Sequence, residues 1–209
     1  MIRAFDVVAE NFRPGTMEKL GYGWERIREL NPRIVYCAVS GYGHTGSRRL
    51  DPSYDVIVQG ESGLMDLTGF PDGPPTKVGT SIADITAGQL AVEGVLLALF
   101  ERSRTGRGQK VDVALLDGIL SLFTYQGQNY FATGKPPRRL GNRHPSITPY
   151  ETFKSSDAFV NVGVANDGFW KPFCEVVGRP DLAADPRFRD NPARIAHREN
   201  RWIAEQVEQ

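Results

Sequence analysis

The 209-residue sequence predicts an α/β fold, with a larger domain on a mostly parallel sheet followed by the start of a smaller α+β domain. Three observations predict it. Strand-like and helix-like segments alternate over residues 1–132, the pattern of strands joined by helical crossovers. A stretch rich in Pro, Gly and Arg over 133–149 then interrupts the alternation and reads as a linker. Over 150–209 two short strands around a polar tetrapeptide, followed by helical spacing, read as part of a second domain.

The elements follow in order. Val7-Val8-Ala9 is a short apolar run broken by Asn11-Phe12-Arg13-Pro14-Gly15, a strand running into a loop whose partner strands lie partly elsewhere. Trp24–Leu30 has helical spacing and stops at Asn31-Pro32; residues 34–39 are a buried strand. A glycine-rich loop, Gly41-Tyr42-Gly43-His44-Thr45-Gly46, follows directly, where open α/β sheets bind ligands, although its glycines also suit plain turns. A helix is expected from Tyr54 to Gly63, and a loop from Gly69 to Gly79 around Pro71, Pro74 and Pro75.

A long helix is expected from Asp84 to Arg104, where Ile85, Val92, Leu96 and Leu99 recur as a packed face, Gly88 and Val95 lie beside it, and Gly106 ends it. Lys110–Leu115 alternates as a strand, and Leu116–Tyr130 reads as a helix. In the second domain, 150–153 and 159–164 form a hairpin, Phe169–Val177 a helix, Pro180–Pro192 a loop with a short turn, and Arg198–Val207 a last helix.

Composition narrows the classes of function. The chain is 40% hydrophobic and 24% charged, enough apolar material for a sizeable core. Basic and acidic residues balance at 25 each, so no overall field draws the protein to nucleic acid or an anionic membrane, and an anionic ligand must be held by local geometry. The apolar stretch Leu90–Phe100 contains Glu93 and is too short to span a bilayer, and the first residues lack a secretory pattern, so a cytoplasmic location is expected. Cys37 and Cys174 read as buried reduced thiols, and His44, His144 and His197 have no metal-ligand spacing. The glycine-rich loop fits a G-x-G-x-x-G string, but no acidic residue closes a following strand as dinucleotide binding requires.

Asp84 opens the long helix, where backbone N–H groups and the helix dipole favour an ionised carboxylate. By pattern alone the plain N-cap is the favoured reading. Several strings taken together say more. Glu10-Asn11-Phe12-Arg13-Pro14-Gly15, Leu30-Asn31-Pro32-Arg33-Ile34-Val35-Tyr36, the glycine-rich loop, Ser62-Gly63-Leu64-Met65, Asp84 before its helix, Thr105-Gly106-Arg107-Gly108-Gln109 and Gly141-Asn142-Arg143-His144-Pro145 occur in the order seen in class III CoA-transferases. From about Asp6 to at least Phe188 the sequence resembles this family, of the formyl-CoA and carnitine CoA-transferase type and related to α-methylacyl-CoA racemase.

The resemblance implies a Rossmann-like large domain, of which the chain looks like an internal fragment. It implies transfer of coenzyme A from an acyl-CoA thioester to a free carboxylic acid, with Asp84 as the attacking carboxylate. It implies Asn11, Phe12 and Arg13 along the bound CoA, with Lys19 near a phosphate; Arg13 and Lys19 also suit solvated surface, and Phe12 a core. No permanently bound cofactor is implied, the CoA thioester being a substrate, and the intact family members are interlocked homodimers. Tyr54 stands where related racemases carry a histidine base; tyrosine, with an ordinary pKa of ~10, is a poor base near neutrality, which disfavours racemase or epimerase chemistry. A CoA-binding fragment without turnover is the remaining alternative. Gly141-Asn142-Arg143-His144 falls where relatives carry a glycine-rich loop over the reacting centre, but has one glycine.

Overall fold

The structure, a computed structural model, describes residues 2–198. They form two compact units, one of residues up to Thr68 with Pro74–Arg138, the other of Gly69–Gly73 with residues from Arg139 onward.

In the first unit, β1 (Val7–Glu10), β2 (Val35–Ser40) and β3 (Lys110–Ala114) make a parallel sheet in the order β1-β2-β3, with Val7 opposite Val35 and Tyr36 opposite Lys110. Parallel neighbours need crossovers. The first carries α1 (Thr16–Lys19) and α2 (Trp24–Leu30); the second carries α3 (Asp55–Glu61), α4 (Leu64–Leu67) and α5 (Ile82–Thr105). After β3 come α6 (Leu115–Ser121) and α7 (Thr124–Thr133).

Strand β2 is buried from Val35 to Ala38 because both faces of the sheet are covered there. Tyr36 and Ala38 pack with Ile27 of α2, Ile34 and Trp24, whereas Val39 faces the cluster of Val58, Ala87, Val113 and Ile119 beneath α5. This is the two-residue alternation of a strand. Ile27, Ile34 and Ile119 are fully buried, each stabilising the fold by roughly 1.5–3 kcal/mol.

The long helix differs from expectation in two ways. It starts at Ile82, so Asp84 is its third residue and not its cap, and the buried residues are Ala83, Thr86, Ala87 and Ala98, while Ile85, Val92 and Leu96 are exposed. Small side chains let the helix approach the sheet closely: a Cβ on Gly94 would stand 2.6 Å from a methyl of Val111. The bulkier stripe therefore points away. At 24 residues this helix is also longer than the apolar stretch read from sequence, and by length and composition alone would cross a membrane; its packing on β2, β3 and α6 is that of a helix layered on a sheet. Gly106, with φ 72°, ends it by donating its N–H to Arg102 O at 2.8 Å.

The single helix expected over 116–130 is two. Leu122 N–H and Phe123 N–H bond three residues back, to Ile119 O and Leu120 O, and Thr124, the first residue of α7, has φ 22°, outside the right-handed helical region.

The second unit holds an antiparallel hairpin, β4 (Tyr150–Lys154) with β5 (Phe159–Gly163), then α8 (Trp170–Val176), α9 (Asp181–Ala184) and α10 (Asn191–Ala196). Thus 180–192, expected as a loop with one short turn, contains a helical turn and the start of another helix. Its core gathers Val164, Trp170, Cys174, Leu182 and Phe188. Arg194, fully buried, donates to Thr148 O at 2.8 Å and to Asp167 at 2.6 Å and lies 5.0 Å over the Trp170 ring. The helix expected over 198–207 falls, beyond Arg198, outside the described residues.

Candidate active site

A cavity of about 570 Å³ opens at the carboxyl ends of all three parallel strands, where this class of sheet binds ligands. Asn11, Phe12, Arg13 and Pro14 follow β1; Val39 and Ser40 end β2 and Gly41 follows it; Leu115 follows β3. Asp84 and Gly88 of α5 and the segment Ser53-Tyr54-Asp55 complete the wall, with Arg49 and Asp51. Asn11, Phe12, Arg13, Tyr54 and Asp84 thus line one space. Lys19, at the exposed end of α1, is not part of that wall.

The loop after β1 is set by Glu10. Its Oε2 accepts the Phe12 N–H at 2.8 Å, and its Oε1 accepts the Tyr36 hydroxyl at 3.0 Å with His44 Nε2 at 3.7 Å. Lys110 Nζ stands 3.0 Å from His44 Nδ1. Burial, and then the Glu10 charge, push the Tyr36 hydroxyl far up, so it stays a donor. His44 of the glycine-rich loop is held to β3 by its backbone N–H, bonded to the Asp112 carboxylate at 3.0 Å, and by Lys110. Gly41 is required by close approach, since a Cβ there would lie 1.9 Å from Ser53 Oγ.

The amino end of α5 is capped from another helix. Ser81, at the cap position, makes no side-chain capping bond, and Asp55 Oδ1 instead accepts the Ala83 N–H at 2.8 Å. Asp84 stands one residue further. Although the residue is exposed overall, desolvation of its carboxyl holds the pKa above the ordinary aspartate range, and the Asp55 charge adds to the rise. This is opposite in sign to the helix dipole expected from sequence to govern it. A reaction needing ionised Asp84 is expected to fail on the acid side with a midpoint above the unperturbed value of ~3.9. A pH–rate profile of the first chemical step checks this, and a midpoint at or below that value would contradict it.

Asp55, Arg49 and Ser53 were not singled out from sequence as members of this site. Asp55 carries one signal, its place beside Tyr54, but its bond to Ala83 spans 28 positions and no local pattern announces it. Arg49, donating to Gly46 O at 3.3 Å, sits in a polar loop that looks like any other. In the second unit Gly141, φ 61°, donates to Gly69 O at 2.9 Å and leaves no room for a Cβ against Phe70.

Comparison with known proteins fits this architecture. The model of CoA-transferase family III matches residues 1–209, and the chain belongs to that family. It is 46% identical over 198 residues to acetyl-CoA:oxalate CoA-transferase of Acetobacter aceti, covering 94% of this chain and 51% of that protein. It is 43% identical to succinate–glutarate CoA-transferase of Agrobacterium fabrum, covering 95% and 50%. Among solved structures, a CAIB/BAIF family protein from Brucella suis superimposes with a TM-score of 0.83 at 40% identity, covering all of this chain and 56% of that one. The chain spans about half the length of the curated relatives it matches.

Proposed function

We propose that the intact protein transfers coenzyme A from an acyl-CoA thioester to a free carboxylic acid, with Asp84 as nucleophile. The observation that carries this reading is the placement of the Asp84 carboxyl, in the first turn of α5, in a cavity shared with Asn11, Phe12, Arg13 and Tyr54. A carboxylate oxygen attacks the thioester carbonyl, the C–S bond breaks, and CoA leaves as thiolate. The thiolate then attacks the Asp84 carbonyl of the mixed anhydride, forming an aspartyl-CoA thioester and releasing the donor acid as carboxylate. The acceptor carboxylate repeats the sequence in reverse, leaving as acyl-CoA and regenerating Asp84.

Asn11, Phe12 and Arg13 are the proposed contacts to CoA, Arg13 as a charge partner for phosphate, with Lys19 assigned to the outer part of the nucleotide. Tyr54, exposed at the amino end of α3, faces the same cavity and supplies no base suited to racemisation. Oxalate, succinate and glutarate in the relatives' names are dicarboxylic, which makes them the first acceptors to try. A cytoplasmic homodimer is the proposed working form, consistent with the exposed apolar stripe Val92, Leu96 and Phe100 on α5. Incubating the intact protein with acetyl-CoA or succinyl-CoA and an isotopically labelled acid tests the activity. Label appearing in a new acyl-CoA supports transfer; deuterium washing into the α-carbon without CoA exchange would overturn it.

A further inference from the structure

Gln59 is a neutral polar side chain that the proposed chemistry does not use, yet it is fully buried in α3. Burying a carboxamide is costly unless its donor and acceptor are both satisfied. Both are, and in a directed way. Its Oε1 accepts the Val78 N–H at 2.8 Å, and its Nε2 donates to Asp55 Oδ2 at 2.7 Å, with Thr80 O a longer partner at 3.4 Å. The other oxygen of Asp55 accepts the Ala83 N–H at 2.8 Å. Val78, Gln59, Asp55 and Ala83 thus form a chain of bonds that brackets the segment launching α5, immediately before Asp84.

The donor and acceptor order cannot be met by another ordinary side chain of that size. Glutamate lacks the donor when ionised, methionine lacks both groups, and lysine lacks the acceptor. With one N–H on each oxygen, the Asp55 carboxyl is fixed in orientation at the start of α5. Because Ser81 gives α5 no side-chain cap, this borrowed cap is what orders the first turn.

We propose that Gln59 is a positioning residue for Asp84: through Asp55 it fixes the first turn of α5 in the geometry from which the Asp84 carboxylate attacks a thioester. The inference rests on the reading of Asp84 as nucleophile. Ionisable groups on the elements around Gln59 are Asp55 and Glu61 of α3, Asp66 of α4, Lys77 before α5, Asp84, Glu93, Glu101, Arg102 and Arg104 of α5, and Asp117 of α6; Asp55 is the one bonded to it above.

The test uses the intact protein with acetyl-CoA and succinyl-CoA. CoA titration counts binding-competent sites, and intact mass follows adduct formation per site, so loss of folded protein does not enter the rate. Gln59→Met is expected to slow adduct formation per site by about tenfold or more, as small misplacements of a reacting group do, with KM for acyl-CoA within about threefold of wild type. Gln59→Glu is expected to be equally slow at pH about 8, but its rate relative to wild type rises toward pH about 5.5, because a protonated Glu side chain can again donate to Asp55. The Gln59→Met ratio stays flat. Wild-type rates per site in both variants, whatever their stability, would make Gln59 ordinary core and overturn the proposal, as would two flat ratios. Absence of any adduct in the wild type would show a different failure, that of Asp84 as nucleophile, and would take this inference with it.

Discussion

Asp84→Asn is expected to leave the intact protein folded and able to bind CoA while transfer falls by about a thousandfold or more, the scale of losing a covalent nucleophile. Asparagine keeps the shape of the side chain and its place in the first turn of α5, but has no anionic oxygen to attack a thioester. Stability is expected to move the other way. A carboxyl whose pKa is raised by folding binds its proton more tightly in the folded state. Its contribution to stability therefore declines as pH rises from the unfolded value, ~3.9, through the raised folded value. Above that window the charged group is a standing cost, so the Asn variant should melt at or above the wild-type temperature at neutral pH, and the gap should close in acid. Thermal melts across pH alongside transfer assays check both halves. A variant that loses transfer by unfolding would contradict the assignment.

Gly108→Ala is expected to be the most destabilising single methyl in the first unit. The chain between α5 and β3 crosses the start of β2 so closely that a Cβ would stand 1.8 Å from Ile34 O and 2.4 Å from its carbonyl carbon. Gly108 N–H is also pinned to Pro32 O at 2.9 Å. The obstacles are backbone, with no side chain to rotate aside, so the entry to β2 must shift against β3 and disturb the pairing that begins at Tyr36 and Lys110. A loss of about 3 kcal/mol or more follows. Gly88→Ala is the contrast: a Cβ there meets nothing within 4 Å, and removing a glycine from a helix interior should raise stability by up to about 1 kcal/mol. Denaturant melts of the two variants should move in opposite directions, and equal midpoints would contradict the close crossing.

The strands were legible because both covers of the sheet leave their mark on β2, a run of apolar residues bounded by Asn31-Pro32 and a glycine-rich loop. The long helix was legible as a helix, but not in its orientation. Ala83, Ala87, Gly94 and Ala98 recur at helical spacing just as Ile85, Val92 and Leu96 do, and hydrophobic size alone favours the second stripe. Close packing on the sheet selected the first. The break between α6 and α7 was hidden because Leu122 and Phe123 continue the apolar pattern on which the expectation rested.

The residues expected at the site from family strings are mostly gathered in one cavity, since such strings mark the loops at strand ends. What sequence could not reveal is the tertiary part: Asp55 capping a helix 28 residues away, Gln59 joining that cap to the preceding loop, and Lys110 fixing the ring of His44 across 66 positions. Those bonds depend on α3 and β3 arriving beside α5 and the β2 loop, which no local pattern encodes. Nor could sequence reveal the direction of the Asp84 shift, which desolvation of its carboxyl raises first and the Asp55 charge second.

The most direct test of Asp84 as nucleophile is intact-mass measurement of the intact protein incubated with a small panel of acyl-CoAs, beside Asp84→Asn. An aspartyl thioester adds the mass of CoA less water, disappears with hydroxylamine, and is absent from the Asn variant; that is the expected result. An adduct persisting in Asp84→Asn, or CoA transfer proceeding with no adduct on the wild-type chain, would contradict it.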